Sequence, residues 1–286
     1  MPLAAPGQIE RPHTRESSMP LSLATWNINS VRLRLPLVLD VLKHHPVDVL
    51  CLQEIKCTNE QFPAAAFAEA GYAHHAVHGQ KGYHGVAIVS KRPLSDISSR
   101  VFCEIDDSRH ISAKVETADM PLTVHNFYIP AGGDTPDPEI NPKFRHKLNF
   151  LRELKAWFGE AHFKDGQLIC GDFNVAPHPD DVWSHKQLLS VVSHTPVETE
   201  ALDALLTGNH GWSDLVRRHI PYGTKVYSWW SYRAHDWQAS NRGRRLDHIW
   251  ATGDIAARST GVEIVKAARG WGKKPSDHVP VIVHLS

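Results

Sequence analysis

Apolar runs of strand length recur along the chain, and polar side chains often stand where such a run ends. Val47–Leu52 is a continuous apolar run followed closely by Glu54. Leu168–Cys170 is another, and it leads into Asp172 and Asn174. A short run without polar interruptions is typical of a strand that is covered on both faces. The pattern therefore predicts central strands of a layered structure, with polar residues at their ends.

Strand-like and helical patterns continue along the rest of the chain. Further strands are predicted at Leu21–Trp26, Tyr72–Val77, Gly85–Ser90, Ile111–Glu116, Leu122–Tyr128, Tyr227–Trp230, Leu246–Ala251, Val262–Lys266 and Val279–His284. Helices are predicted at Arg34–His45, Pro63–Ala70, Pro142–Phe163 and, opened by a capping box, from Thr195 to about Thr207. Many strands mixed with a few helices indicate one layered α/β domain, which we expect to span residues 21–286.

Composition narrows the class of protein. The chain has 286 residues and a formal net charge of +0, so binding to nucleic acid would require a local basic patch. Its four cysteines lie far apart without zinc-binding spacing, which fits a reducing cytosol. No apolar stretch is long enough to span a membrane. Residues 1–20 lack the apolar core of a secretory signal and are expected to be a disordered extension, with Met19 as an alternative start.

Nine polar residues lie at or near the ends of the predicted strands. They are Asn27, Asn29, Glu54, Tyr128, Asp172, Asn174, Asp247, Asp277 and His278. Strand ends at one edge of a sheet assembly can converge on a cleft, where loops carry chemistry on a rigid scaffold. An Asp or Asn after a strand is more often a turn residue, and one histidine among 20 carries little information. Glu54 is not a turn former, however, and several carboxylates without basic neighbours in sequence fit a hard cation that prefers oxygen ligands.

Two segments combine basic and aromatic residues. Between Ser228 and Arg245, four aromatic residues interleave with four arginines. Aromatic rings can stack on sugars or bases, while arginines bind phosphates. The loop 80–85 carries Lys81 and Tyr83 beside glycine and can contact a phosphate backbone. The alternatives are a core aromatic cluster with solvated arginines for the first segment and a surface turn for the second.

Seven motifs occur in an order and at intervals that together are specific. They are Thr25-Trp26-Asn27-Ile28-Asn29-Ser30-Val31-Arg32, Leu52-Gln53-Glu54-Ile55-Lys56, Asn126-Phe127-Tyr128-Ile129-Pro130, Cys170-Gly171-Asp172-Phe173-Asn174, Ser228-Trp229-Trp230-Ser231-Tyr232-Arg233, Arg245-Leu246-Asp247 and Pro275-Ser276-Asp277-His278-Val279-Pro280. On these motifs the chain resembles, from Leu21 to His284, the exonuclease III / abasic-site endonuclease family of the deoxyribonuclease-I-like superfamily. The resemblance implies a four-layer α/β sandwich, in which two packed mixed β-sheets are flanked by helices.

The resemblance also implies catalytic roles for four of the polar residues. Asp172 would be the base that positions or deprotonates the attacking water, with help from Asn174. A base in this role must stay ionised and lie within about one hydrogen bond of the water. His278 would contact the phosphate, oriented by Asp247, and such a pair fixes the ring tautomer and favours the imidazolium.

A metal site is implied next to these residues. A phosphodiester is an anion, so a cation that neutralises it favours attack by an anionic nucleophile. By resemblance, Mg²⁺, with Mn²⁺ able to substitute, would lie near Glu54, with Asp277 and Asn29 close by. Mg²⁺ prefers one or two carboxylates and keeps several waters, which leaves room for substrate oxygens. Asn27 and Tyr128 would line the adjacent phosphate site.

For the substrate, the resemblance implies duplex DNA. Trp229 and Leu246 would form the walls of a pocket for an extruded abasic sugar, whose extrusion loses little stacking. DNA contacts are expected from Arg244, Arg245, Tyr232, Lys81 and Tyr83. Arg244 stands where family members often have an apolar pocket residue, and this departure leaves the shape of the pocket open.

The predicted function is Mg²⁺-dependent hydrolysis 5′ of abasic sites in duplex DNA, together with 3′→5′ trimming of DNA ends. One alternative is a related metal-dependent phosphoesterase that acts on an inositol phosphate or a phospholipid. Another is a non-catalytic DNA-binding scaffold. The superfamily includes several activities, so its fold alone does not fix the substrate. We expect a monomer in the cytoplasm, associated with the nucleoid.

Overall fold

A computed structural model of the chain describes residues 20–118, 122–160, 163, 165–208 and 211–286. The expected disordered extension, apart from residue 20, and the alternative start at Met19 lie outside the described residues. Part of the C-terminal end of the predicted helix Pro142–Phe163 lies outside them as well. Among the described residues, no helix combines the length and the apolar character that crossing a membrane requires.

The described residues form fourteen strands and eight α-helices. In chain order the strands are β1 (Leu21–Asn27), β2 (Val49–Gln53), β3 (His74–His78), β4 (Val86–Ser90), β5 (Leu94–Ser98), β6 (His110–Val115), β7 (Leu122–Tyr128), β8 (Gln167–Asp172), β9 (Ser213–Asp214), β10 (Trp229–Trp230), β11 (Gly243–Arg244), β12 (Asp247–Ala251), β13 (Ser259–Ile264) and β14 (Val281–Leu285). The helices are α1 (Val31–His44), α2 (Ala64–Glu69), α3 (Pro142–Phe158), α4 (His185–Leu188), α5 (Pro196–Leu206), α6 (Leu215–His219), α7 (Trp237–Ser240) and α8 (Gly253–Ala257). Two short 3₁₀ helices lie at Pro179–Asp181 and Lys266–Gly270.

Twelve of these strands build two mixed sheets of six strands each. The first sheet has the order β13-β14-β1-β2-β4-β3, and the second has the order β5-β6-β7-β8-β12-β9. The pairs β1–β2 and β7–β8 are parallel, and the other pairs in both sheets are antiparallel. The strands β10 and β11 form a separate two-stranded ribbon. Each sheet thus has one parallel pair at its centre.

The two sheets pack face to face through their apolar inner sides. Leu23 and Val49 of the first sheet belong to the same buried cluster as Val124 and Leu168 of the second. The alternation of side chains along a strand sends every second residue into this interface. Removal of that apolar surface from water is the main stabilising contribution to such a core.

Helices cover the outer face of each sheet. Val38 of α1 packs in one cluster with Trp26 of the first sheet. On the second sheet, Phe150 of α3 and Leu202 of α5 pack with Ile169. The predicted four-layer α/β sandwich is therefore confirmed.

The predicted strands and helices are present, with boundaries that differ by a few residues. The helix α3 ends at Phe158 rather than Phe163, because Gly159 follows as its C-terminal cap and glycine is a poor helix former. The capping box predicted at Thr195 is formed with Glu198 and opens α5. The strand β5 was not predicted, since four of its five residues are exposed and it lacks an apolar pattern.

Candidate active site

Strand pairing brings the polar strand ends together at one edge of both sheets. The parallel pairing of β1 with β2 aligns their ends, so that Asn27 lies beside the residue that precedes Glu54. In the second sheet, Asp172 at the end of β8 pairs with Tyr128 of β7 and with Asp247 of β12. The ends of both parallel pairs thus meet at a single cleft.

One amide connects the two sheets across this cleft. The Nδ2 atom of Asn27 donates hydrogen bonds to Glu54 Oε1 and to Asp172 Oδ2, each at 2.9 Å. The hydroxyl of Tyr128 donates to the same Glu54 oxygen at 2.8 Å. Asn27 is fully buried, so these contacts are shielded from water and fix the relative position of the two carboxylates.

The backbone around the cleft adopts conformations that cost free energy. Asn29, Glu54 and Asn174 have positive φ angles of 48°, 49° and 54°. Non-glycine residues in this region cost of the order of 1–3 kcal/mol and concentrate at functional sites. Gly171, with φ +140°, precedes Asp172, and a Cβ atom there would lie 1.9 Å from the carbonyl oxygen of Phe127. Only glycine therefore permits the close strand approach that positions Asp172.

Asp172 is a buried carboxylate held by several donors. The backbone N–H of Asn174 donates to its Oδ1 at 2.9 Å, and the side-chain amide of Asn174 donates to its Oδ2 at 3.1 Å. Burial raises the pKa of Asp172, and the positive charge of His278 lowers it. The negative charge of Asp247 raises it again, and the resulting pKa of Asp172 is about 7. A carboxylate with a pKa near neutrality suits a general base.

His278 lies between two carboxylates. Its Nδ1 is 2.8 Å from Asp247 Oδ2, and its Nε2 is 3.6 Å from Asp172 Oδ2. Burial alone lowers the pKa of the imidazole, but Asp247 and then Asp172 outweigh that effect and raise it to about 10. The ring is therefore an imidazolium at neutral pH, whose Nε2–H can donate to an anion.

Oxygen donors for a cation gather on the other side of Glu54. Lys56 Nζ lies 2.9 Å from Glu54 Oε2 and donates to Asn29 Oδ1 at 2.7 Å. Asn29 Nδ2 in turn donates to Asp277 Oδ1 at 3.3 Å. Burial raises the pKa of Glu54, but Lys56 and the other donors more than offset it, so the pKa is lowered. This set of carboxylate and amide oxygens suits a hard divalent cation, and the ammonium of Lys56 shows that the position favours positive charge.

A second set of donor atoms is less suited to a metal. One donor atom each from Asp172, Asp247 and His278 lies within 4.8 Å of the others. A metal-binding histidine must be neutral, whereas the Asp247 carboxylate keeps this imidazole protonated. By their chemistry, these three side chains are therefore better suited to proton transfer and to binding an anion than to holding a metal.

Comparison with known proteins identifies the family. A model described as the endonuclease/exonuclease/phosphatase family matches residues 24–278. The chain belongs to this family. An exodeoxyribonuclease III from Haemophilus influenzae is 32% identical over 270 residues, which cover 91% of this chain and 98% of the relative.

Two solved structures are similar in fold and sequence. An AP endonuclease from Archaeoglobus fulgidus superposes with a TM-score of 0.83 and 34% identity, covering 92% of this chain and 98% of that chain. A 3′ phosphatase from Neisseria bound to a product DNA hairpin has a TM-score of 0.82 and 31% identity, covering 93% and 99%. The resemblance to the exonuclease III / abasic-site endonuclease family is thus confirmed. The chain is an enzyme, a metal-dependent hydrolase, and a non-catalytic scaffold is not supported.

The cleft of this endonuclease/exonuclease/phosphatase family member contains most of the predicted site residues. Its lining includes Glu54, Tyr128, Asp172, Asn174, Trp229, Arg244, Leu246, Asp277 and His278. Trp229 is fixed by a hydrogen bond of 3.0 Å from its indole Nε1 to Asp277 Oδ2. Asn27 and Asp247 are buried beneath these residues and contact them from below. The sequence motifs thus converge on one cleft.

The predicted DNA contacts outside the cleft differ in position. Lys81 and Tyr83 are exposed on a loop whose His84 ring lies 5.8 Å from the ring of Tyr128. They therefore stand beside the cleft, free to meet a ligand. The hydroxyl of Tyr232 donates to the carbonyl oxygen of Pro275 at 2.8 Å, so this residue supports the segment before Asp277.

The position of Arg245 conflicts with its predicted contact to DNA. Its side chain is 1% exposed, and its Nε and Nη2 donate to the two oxygens of Asp181 at 2.7 and 3.0 Å. Its Nη1 donates to Asp214 Oδ2 at 2.7 Å. All three nitrogens of the guanidinium are thus bound inside the protein, and the expectation was wrong because the partners of Arg245 lie far away in sequence.

Two lysines near the site were not assigned roles from the sequence. Lys56 lies within the second motif, and its position two residues after Glu54 could have indicated that it pairs with that carboxylate. Lys147 is fully buried in α3, pairs with Glu198 at 2.5 Å and donates to the carbonyl oxygen of Asn174 at 2.7 Å. No local pattern separates Lys147 from the solvated lysines of a helix, so only the fold reveals that it supports the loop of Asn174.

Proposed function

We propose that the chain is a DNA-repair nuclease that uses Mg²⁺, for which Mn²⁺ can substitute, to hydrolyse duplex DNA 5′ of abasic sites and to trim 3′ ends. The observation that carries the proposal is the joint placement of Glu54, Asp172 and His278 in one cleft through Asn27 and Asp247. The names of the similar proteins, an exodeoxyribonuclease III, an AP endonuclease and a 3′ phosphatase, support DNA as the substrate. They also disfavour an inositol phosphate or a phospholipid.

The protein groups have distinct parts in the reaction. Asp172 takes a proton from water, whose oxygen forms a bond to phosphorus, while Asn174 holds Asp172 in position. The imidazolium of His278 donates a hydrogen bond from Nε2 to a phosphate oxygen and stabilises the charge that develops there. The bond from phosphorus to the 3′ oxygen of the upstream nucleotide breaks, and solvent protonates that oxygen. A 3′ phosphatase breaks the same bond, so a single site serves internal and terminal phosphates.

Glu54, Asp277 and Asn29 are the residues that would hold the metal. When bound there, it neutralises the phosphate and stabilises charge on the leaving oxygen. Tyr128 and Asn27 keep the Oε1 atom of Glu54 in place. We also propose that the enzyme works as a monomer in the cytoplasm, on DNA of the nucleoid.

A labelled duplex with one central abasic site tests the proposal. With Mg²⁺ we expect a single incision on the 5′ side of the site and gradual shortening of the 3′ end, and with EDTA neither product. A duplex without the abasic site serves as the control for incision, and inositol phosphates and a phospholipid serve as competing substrates. Failure to cut the abasic duplex, or faster hydrolysis of a competing substrate, would contradict the assignment.

A further inference from the structure

Arg244 is a half-buried cation in the wall of the cleft. Its Nη1 donates to the carbonyl oxygen of Val192 at 3.0 Å and to Ser193 Oγ at 2.7 Å, and its guanidinium carbon lies 5.2 Å from the ring centre of Trp229. These contacts fix the plane of the guanidinium. They satisfy only one of its three nitrogens.

The other two nitrogens of the guanidinium have no hydrogen-bond or ion-pair partner within the described part of the chain. Its Nε is buried without a hydrogen bond, and no described carboxylate oxygen lies within 4.0 Å of the group. Burial lowers the pKa of Arg244, and Glu198, which acts in the opposite direction, is already bound to Lys147. A fixed fork of charged donors that lacks an anion matches a carboxylate or a phosphate, which it can bind through two parallel hydrogen bonds.

Strand pairing places Arg244 at a defined distance from the chemistry. Trp229 pairs with Arg244 on one side and with His278 on the other. Neighbouring strands are about 4.8 Å apart, so the backbones of Arg244 and His278 are separated by roughly 10 Å. Arg244 is therefore suited to contact a group attached to the phosphate that His278 binds, and not the reacting phosphorus atom itself.

Resting on the proposed function, we infer that Arg244 determines substrate specificity by binding an anionic group carried on the downstream side of the scissile phosphate. The cleft wall formed by Arg244 and Trp229 then favours 3′ ends whose phosphate bears a short acid over ends that bear a neutral group of the same shape. An abasic sugar inside a continuous strand carries its own 3′ phosphate, which can supply the anion, whereas a terminal phosphate esterified with a neutral group leaves the guanidinium without one. Unpaired buried charge is costly, and this cost disfavours the neutral substituent.

Two matched probes test this specificity. Each is a duplex with a recessed 3′ end whose terminal phosphate is esterified, in one probe with a carboxymethyl group and in the other with the neutral carbamoylmethyl group. Cleavage releases the esterified phosphate and leaves a 3′ hydroxyl in both. We expect the wild-type enzyme to show a kcat/KM about 10- to 100-fold higher for the acid probe, the range of one charge-assisted hydrogen-bond pair.

Variants of Arg244 separate specificity from structural support. Arg244→Gln is expected to remove the preference, with kcat/KM for the acid probe falling about 10- to 100-fold more than kcat/KM for the neutral probe. Arg244→Lys keeps the charge but not the fork, and should retain part of the preference. Arg218→Gln is the matched control, since Arg218 is exposed on α6 outside the cleft, and should behave as wild type.

The outcomes distinguish two kinds of failure. Equal hydrolysis of both probes by the wild-type enzyme, or an equal loss on both probes in Arg244→Gln, would overturn the role of Arg244 while leaving the nuclease activity intact. The wild-type comparison needs no variant, so it decides the question even if Arg244→Gln does not fold. Absence of hydrolysis on both probes and on the abasic duplex would overturn the proposed function, and this specificity with it.

Discussion

Arg244 and Arg245 are adjacent in sequence and yet occupy opposite electrostatic environments. Arg245 points into the protein, where Asp181 and Asp214 bind all three of its nitrogens. Arg217 shares the carboxylate of Asp181. Arg244 points into the cleft, where its hydrogen bonds go to neutral oxygens and the ring of Trp229 lies against it. Side chains of consecutive residues in extended backbone point to opposite sides, so one position separates the two environments.

The difference shows how to interpret a basic residue beside a candidate site. A cation whose counterions are supplied by the protein contributes to the folded structure, and removal of its partners is costly. A cation that the protein leaves without a counterion is available to a ligand. In this molecule the first kind supports the segment that carries Leu246 and Asp247, and the second kind faces the reaction. Stability and activity should therefore respond to different substitutions.

The largest effect is expected on the free energy of unfolding, when the buried ion-pair network around Arg245 is disrupted. Asp181→Asn leaves Arg245 and Arg217 without their shared carboxylate, and we expect the free energy of unfolding to fall by about 3–5 kcal/mol. Urea unfolding followed by circular dichroism measures the change. The control is Asp165→Asn, an exposed carboxylate, which should unfold as wild type. Similar unfolding curves for the two variants would show that the network contributes little.

The next largest effect is expected in the cleft. Asp172→Asn removes the proton acceptor, and kcat on the abasic duplex should fall by at least ~100-fold. The free energy of unfolding of this variant should stay unchanged or rise, because burial disfavours the charged carboxylate that the substitution removes. Paired measurements of kcat and urea unfolding on the same preparation test both statements. Near-normal activity in the folded variant would refute the role of Asp172.

The dependence of stability on pH provides a further test of the ion pairs that Asp181 forms with Arg245 and Arg217. Burial raises the pKa of Asp181, but Arg245 and Arg217 outweigh it and lower the pKa to about 2. The folded protein therefore holds this proton less tightly than the unfolded chain, whose Asp titrates near 4. The resulting stability, roughly 2 kcal/mol, is fully present above about pH 4 and is lost as the pH falls towards 2.

The difference between wild type and Asp181→Asn isolates this contribution from that of other carboxylates. The gap between the two urea midpoints, measured from pH 6 to pH 2.5, should narrow as the pH falls, because the unfolded wild-type chain takes up a proton at Asp181 in this range while the folded protein largely does not. A constant gap over this range would mean that the pKa of Asp181 is not depressed.

The contrast between the two arginines also marks the limit of sequence-based inference. Continuous apolar runs predicted β2 and β8 because both faces of these strands are covered, and the polar residues after them indicated the cleft. The exposed edge strand β5 gave no such pattern. Nothing local distinguishes Arg244 from Arg245, since Asp181 is 64 residues from Arg245 and the hydrogen-bond partners of Arg244 lie more than 50 residues away. Pairs distant in the chain decide which basic residue is neutralised, and only the fold reveals them.

The smallest effect is expected at an exposed cation, which is a third case beside the two arginines. Lys81 is exposed on a loop next to the cleft and is already solvated. Lys81→Ala should raise the Kd for duplex DNA only roughly two- to fivefold. It should also reduce the slope of the logarithm of the association constant against the logarithm of the salt concentration by about 0.9, the contribution of one phosphate contact. Fluorescence anisotropy in EDTA measures binding without cleavage, and Lys155→Ala, on the outer helix α3, is the control. An unchanged salt dependence would show that Lys81 does not contact the DNA. A loss of binding free energy as large as the stability lost on breaking a buried ion pair would show that solvent exposure does not predict how much a charge contributes in this cleft.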